Sequence, residues 1–495
     1  MRRSVICAIT ILLLLSVVNP TTAEDEITPV LENLRRNVLK MELSNGLRVL
    51  VYQRPQVPIF SGQIWVKVGG VNESPGHTGI AHMLEHMAFK GTTSIGTKDY
   101  ETERKLLDEL EEVIRKLDSK EELLTHPQVE AIHNRLRELW VDDEFSRVYQ
   151  REGAHALNAM TAKDYTGYVV SLPSSAFLVW CWLESERLLR PVFRQFYQER
   201  EVVIEERRSR TDDDPDGLLY EALLSTAFWS SPNRQPVIGW PSDLKRLTAS
   251  EIKEFYATHY RPDNIVLVLV GDIKLEGLQE ILERYFGRIQ LPAEVAPPLH
   301  VTAEEPQNGE RNVVVHFDAE PRFMMAFHKP VYPNPDDVVL DVLSEHLSGG
   351  RSSVFYRELV LEKQLASVVD VFDAPGQQFS SLFVVYGQPR NGVSNRELRD
   401  AVQAILERYK SKPIAPAELE AIKRRIVVSF LRSLTSNYSI AENLGKVESL
   451  RGDWRWLLKI YEDLLAVSAE QVQQAATKYL TVTNRTFVHQ EKGES

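Results

Sequence analysis

Residues 265–270 read Ile-Val-Leu-Val-Leu-Val ahead of Gly271-Asp272, six apolar residues without polar alternation. A strand of that composition is buried on both faces, since an open face would show every second residue to water. At least one sheet of this fold is therefore covered on both sides. The chain is 495 residues long, too many for one hydrophobic core, so two to four domains are expected.

Other elements fall around that strand. Residues 47–52 (LRVLVY) follow a Ser44-Asn45-Gly46 turn and read as a strand, and residues 60–68 read as a second. Residues 69–76 (GGVNESPG) are a loop by composition. From Thr78 the spacing of Ile80, Met83, Leu84 and Met87 is helical. Strands near 156–159 and 167–171 and helices over 175–188 and 196–210 follow. Pro292, Pro297, Pro298 and Pro306 among acids mark 290–310 as a linker. Beyond it the order recurs, with strands at 313–317 and 323–328 and a helix at 336–347. A duplicated α+β domain is the expectation, with 24–289 and 311–495 as its two copies.

Residues 99–146 look like an insertion. Leu106, Leu107, Leu110, Val113, Ile114 and Leu117 recur at helical spacing, His126-Pro127 breaks the pattern, and Ile132, Leu136 and Leu139 resume it. Two antiparallel helices with charged faces toward solvent are the economical reading. Residues 1–23 belong to another regime. Arg2 and Arg3 precede an apolar run over 5–18, then Thr21-Thr22-Ala23 precedes Glu24, as in a cleaved secretory signal peptide. The run is shorter than the ~20 residues a membrane span needs. A periplasmic or secreted protein, without stable membrane insertion after cleavage, is expected.

A net charge of −12 argues against a nucleic-acid partner. Two cysteines, of which Cys7 lies in the leader, exclude a disulfide scaffold and a Cys-based zinc cluster.

The chemistry sits in residues 79–87, GIAHMLEHM. His82 and His86 are one helical turn apart and project from one face, as two imidazoles must to reach one metal ion. Glu85 lies beside that face, placed to take a proton from water without being a ligand. The order H-x-x-E-H inverts the zincin motif and keeps its mechanics. A catalytic zinc needs a third ligand from another element. The acidic stretch 199–206 (EREVVIEE) is the candidate, with Glu199 and Glu206 seven residues apart on one face.

Residues 79–92 (GIAHMLEHMAFKGT), 153–161 (GAHALNAMT) and 199–206, in that order, resemble the inverzincin peptidases related to pitrilysin, insulysin and the mitochondrial processing peptidase. The likeness covers nearly the whole mature chain and is greatest to the short, two-domain bacterial members. It implies two homologous αβ-sandwich domains, each a mostly antiparallel sheet covered by helices, forming half of a clamshell. It makes His82, His86 and Glu206 ligands of Zn2+, Glu85 the general base and Glu199 a carboxylate behind a ligand. This settles a register that spacing leaves open between Glu205 and Glu206. Asn158 matches the asparagine on the edge strand where peptide substrates add by β-augmentation.

Two departures stand out. His86 and Glu206 are 120 residues apart, the excess being the 99–146 insertion. Active relatives also carry an Arg and, seven residues later, a Tyr that hold the substrate carbonyl; here Val360 and Ser367 match those positions, and Arg357 substitutes only in a shifted register. In the second copy, Glu345-His346 matches Glu85-His86, but Val342 replaces the leading histidine, so this copy is non-catalytic. The resemblance implies a zinc endopeptidase for peptides or unfolded segments, working as a homodimer or heterodimer with a homologous subunit. The rival reading is a non-catalytic peptide-binding or scaffold subunit.

Overall fold

The computed structural model describes residues 22–120, 122–291 and 300–492. Residues 1–21 of the expected leader and 292–299 of the expected linker lie outside them. Helix α1 (Ala23–Asn37) opens the described chain, with a reciprocal Thr22–Asp25 capping box.

One sheet contains β1 (Val38–Glu42), β2 (Arg48–Gln53), β3 (Ile59–Val66), β4 (His155–Thr161), β5 (Thr166–Pro173) and β6 (Ile265–Gly271), in the order β1-β2-β6-β3-β5-β4. The other contains β7 (Arg311–His316), β8 (Arg322–Lys329), β9 (Ala366–Ala374), β10 (Ser381–Pro389) and β11 (Arg485–Glu491), ordered β7-β11-β8-β10-β9. Without β1 the two orders are the same permutation. Each has a single parallel pair, β2 with β6 and β7 with β11, among antiparallel neighbours. The recurrence read in the sequence is thus a recurrence of topology.

The run at 265–270 is β6, buried along its whole length. Ile265, Leu267 and Leu269 join the core beneath the first sheet, while Val266, Val268 and Val270 join a different cluster on the opposite face. That opposite face is covered by helix α8 (Asn437–Arg451), which comes from the far end of the chain. Ile440, Ala441 and Leu444 pack there, and Gln63 Nε2 donates to the Tyr438 carbonyl at 3.0 Å. Glu448 near the end of α8 is fully buried and pairs with Lys40 at 2.8 Å and Arg48 at 3.0 Å.

The reverse exchange also occurs. Helix α6 (Pro215–Ala227) lies on the second sheet, its Leu219, Leu223 and Ala227 clustered with Met324, Ala326 and Val384. Each sheet therefore carries its own helices on one face and a helix from the other half on the second face.

The insertion forms helices α3 (Tyr100–Lys116) and α4 (Pro127–Leu139), packed together as the periodicity predicts. Its charged faces do not all meet solvent. Glu103 is fully buried and accepts from Trp140 Nε1 and from Arg194, which also reaches the carbonyls of Thr92 and Ile95. A further helix, Glu144–Arg151, spans the expected end of the insertion at 146.

Candidate metal site and peptide cleft

Helix α2 (Ile80–Met87) buries Ile80, Met83, Leu84 and Met87 in the core beneath the first sheet. His82, Glu85 and His86 are left on the side facing an open cleft of about 680 Å³. Its start is fixed tightly. Gly79 has φ +86°, and a Cβ there would lie 2.9 Å from the Cα of Gly239, so only glycine suits the approach. The half-buried Glu73 carboxylate accepts the first N–H groups of the helix, from Gly79 at 3.0 Å and Ala81 at 2.9 Å.

Helix α5 (Phe196–Arg207) supplies the facing carboxylates. Its Tyr197, Arg200, Val203 and Arg207 are buried, which turns Glu199 and Glu206 together toward α2. Glu206 Oε2 lies 3.9 Å from His82 Nε2 and 3.3 Å from His86 Nε2. Glu205, the alternative that spacing left open, points outward to Arg208. Glu199 Oε1 is 3.0 Å from His86 Nδ1, and its Oε2 is 2.6 Å from Lys90 Nζ. Burial holds His82 down at about 4, helped by the neighbouring His86, so its ring is neutral and its lone pair available. Burial also opposes a charge on His86, but hydrogen bonds and charge from Glu199 and Glu206 outweigh it and raise His86 to about 9. Two carboxylates against one imidazole make a pocket that calls for positive charge.

That donor set fits a divalent transition metal. Arms of about 2.0–2.1 Å in tetrahedral geometry put ligand atoms about 3.3 Å apart, and the donor atoms of His82, His86 and Glu206 all lie within 4.8 Å of one another. A second trio, Asp337, Asp341 and Asp373, is grouped as closely, but it encloses the ammonium of Lys329, fully buried and 2.8 and 3.1 Å from Asp337 and Asp341. Its cation is built in.

Asn158 lies on β4, the outermost strand of its sheet, opposite Val169 of β5. Along with Leu157, Ala159, Met160 and Thr161 it lines the cleft that holds the histidines. The six residues predicted from sequence are therefore brought to one place. Three further side chains complete it. Thr161 Oγ1 donates to Glu85 Oε2 at 2.5 Å, Arg210 Nη1 holds Glu206 Oε1 at 2.7 Å, and Lys90 pairs with Glu199. Lys90 and Thr161 lie inside the stretches 79–92 and 153–161, where the sequence gives them no role. Arg210 stands four residues after Glu206, a helical ion-pair spacing that the sequence does contain.

The residues at the carbonyl-clamp positions lie away from the cleft. Val360 packs against the second core, Ser367 Oγ donates to the Gln388 carbonyl, and Arg357 is exposed on a π-helical segment, Tyr356–Glu362. None of the three lines the cleft. In the second copy, His346 Nε2 meets Tyr409 Oη at 2.8 Å and Glu345 pairs with Arg425, so both serve packing.

A family model described as insulinase (peptidase family M16) matches residues 48–120, and one described as the peptidase M16 inactive domain matches residues 246–426. The zinc protease PqqE of Helicobacter pylori is 29% identical over 452 residues, covering 90% of this chain and 91% of the relative. The chain belongs to the pitrilysin-like M16 peptidase family. Within that family it is of the short, two-domain type. The zinc protease YmxG of Bacillus subtilis is 22% identical over 88% of this chain and 94% of its own. A crystal structure of a protease from Helicobacter pylori matches with TM-score 0.78 at 27% identity, over 92% of this chain and 99% of that one. The periplasmic protease PqqL of Escherichia coli shares the fold at TM-score 0.69 and 16% identity, this chain spanning 48% of its length. The chain shares with these neighbours a fold of two αβ units, as the sequence resemblance implied. Among the described residues no helix is long and apolar enough to cross a membrane.

Proposed function

We propose that this chain is a zinc-dependent endopeptidase of peptides or unfolded protein segments. His82, His86 and Glu206 hold Zn2+, Glu199 orients His86, Glu85 is the general base, and the strand bearing Asn158 receives the substrate backbone. The observation that carries this reading is the convergence of three ligand atoms beside Glu85 in a cleft walled by an edge strand. In this reading 24–289 is the catalytic half, 290–310 the linker and 311–495 the non-catalytic half. Residues 1–23 direct export, to the periplasm or beyond the cell, and are then removed.

A zinc ion at this site supplies Lewis-acid polarisation of the scissile carbonyl and acidifies water. The rest is the work of side chains. A peptide adding to the open edge of β4 is held extended by main-chain hydrogen bonds, with its carbonyl over the histidines. Thr161 ties down Glu85 Oε2 and leaves Oε1 to take the proton of the attacking water. Burial raises the Glu85 carboxyl, against the Thr161 hydrogen bond, which suits a group that must also return the proton to the leaving amine. As water oxygen bonds to the carbonyl carbon, the C–N bond breaks and the amine leaves protonated. With Val360 and Ser367 outside the cleft, a homologous partner subunit supplies the carbonyl clamp.

The test is incubation of the purified mature chain, with zinc content measured, with unstructured 15–30-residue peptides. Cleavage is scored by mass spectrometry beside Glu85→Gln. Cuts abolished by the substitution establish a self-sufficient peptidase and remove the need for a partner. Silence from a zinc-loaded chain that revives with a homologous subunit supports the divided site. A chain that holds no zinc sinks the reading.

A further inference from the structure

The insertion ends in three consecutive acids, Asp142-Asp143-Glu144, at the start of the helix Glu144–Arg151. Two of them have structural partners. Asp142 Oδ1 accepts from Gln195 Nε2 at 2.7 Å, and Glu144 Oε2 accepts the backbone N–H of Gly96 at 2.5 Å, in the loop after the metal helix. The middle one is spared. Asp143 is the N-cap residue, where an aspartate ordinarily turns back to accept a helix N–H. Its backbone is left-handed, φ 52° and ψ 20°, and its side chain makes no capping bond. Asp143 is exposed and stands in the lining of the metal cleft, with Ser146 one turn along.

Two residues on, the chain is anchored in the core. Phe145, fully buried, has its ring 6.3 Å from that of Phe89 and 5.6 Å from that of Tyr149, and Phe89 is three residues beyond His86. Other charges that line the cleft are matched: Lys90 by Glu199, Arg210 by Glu206, and Glu85 by its Thr161 hydrogen bond. Among the described residues no side chain pairs with Asp143.

Resting on the peptidase reading above, we propose that Asp143 selects a basic side chain of the bound peptide at one fixed position from the scissile bond. The methylenes of a Lys or Arg would lie along Phe89, which also lines the cleft, while the charged head reaches the carboxylate. The insertion, on this view, builds a specificity subsite.

The test uses the full mature chain with matched peptides in which Lys, Ala or Glu is scanned through each position around the cut. The readout is the ratio of kcat/KM between Lys and Glu peptides. Wild type is expected to favour Lys at one position by roughly five- to tenfold, the range of a partly exposed ion pair. Asp143→Asn, which keeps a residue at ease in the left-handed region, is expected to bring the ratio to about one. Asp143→Lys is expected to reverse it, while zinc content stays at the wild-type level. A Lys preference that survives both substitutions, or no preference at any position, overturns the proposal while leaving the peptidase reading intact. A zinc-loaded chain that cuts no peptide, alone or with a homologous subunit, overturns both.

Discussion

Glu199 divides its two oxygens between two partners, His86 Nδ1 and Lys90 Nζ. It fixes which ring nitrogen of His86 faces Glu206, and a carboxylate behind a ligating imidazole also makes that imidazole more basic. Glu199→Ala is expected to weaken zinc binding about 10- to 100-fold, measured by competition with a chromophoric chelator, with the circular-dichroism spectrum unchanged. Glu206→Gln, which removes a ligand charge instead, is expected to lose stoichiometric zinc on gel filtration. At this scale much was legible. H-x-x-E-H gave one face of one helix, and the seven-residue step from Glu199 to Glu206 gave one face of another. Spacing alone could not choose between Glu205 and Glu206, because that choice depends on which way α5 is rolled, and its buried Arg200, Val203 and Arg207 decide it. Arg207 does so through two hydrogen bonds to Glu221, a residue of α6. Arg210 reaches back from a π-helical turn, Arg208–Asp212, where the sequence predicts plain α-helix.

Among the elements, the inserted hairpin shows how far periodicity carries. Its leucines and isoleucines marked the two helices, and the break at His126-Pro127 marked their join. Periodicity could not separate Glu103 from the surface acids around it, since its partner Arg194 lies 91 residues away. Glu103→Ala would leave that buried guanidinium short of its counter-charge, at an expected cost of about 3–5 kcal/mol in chemical denaturation. His133 gives the hairpin a pH dependence. It is 4% exposed, with its ring against Trp140 at 5.1 Å, and burial pushes it down to about 4, assisted by Arg137. Between pH 6.5 and 4 the unfolded chain therefore holds a proton that the folded chain refuses, so stability falls as pH falls through that window. His133→Leu is expected to remove this loss, up to about 3 kcal/mol. Its melting temperature relative to wild type would rise progressively from pH 6.5 to pH 4.

For the molecule as a whole, the two halves are joined chiefly by exchanged helices. Gly445 marks the closest crossing of α8 over the first sheet, where an added Cβ would stand 2.2 Å from Cδ1 of Trp65. Gly445→Val is expected to lift that helix and cost about 1–3 kcal/mol in thermal or chemical unfolding. The duplication was legible because strand and helix patterns recur in order. The exchange was not, because an apolar helix does not state which sheet it covers, and only the path of the chain after Asp214 and Ser436 sends each one across. Severing the backbone within 290–310 would thus not release two independent proteins. Each fragment, made by itself, would expose a bare sheet surface and tend to aggregate; made together, the pair should find each other and rebuild the whole, a natural split protein. By the same token, the two halves of this chain are not free to swing apart around an incoming peptide, since each is buttoned into the other.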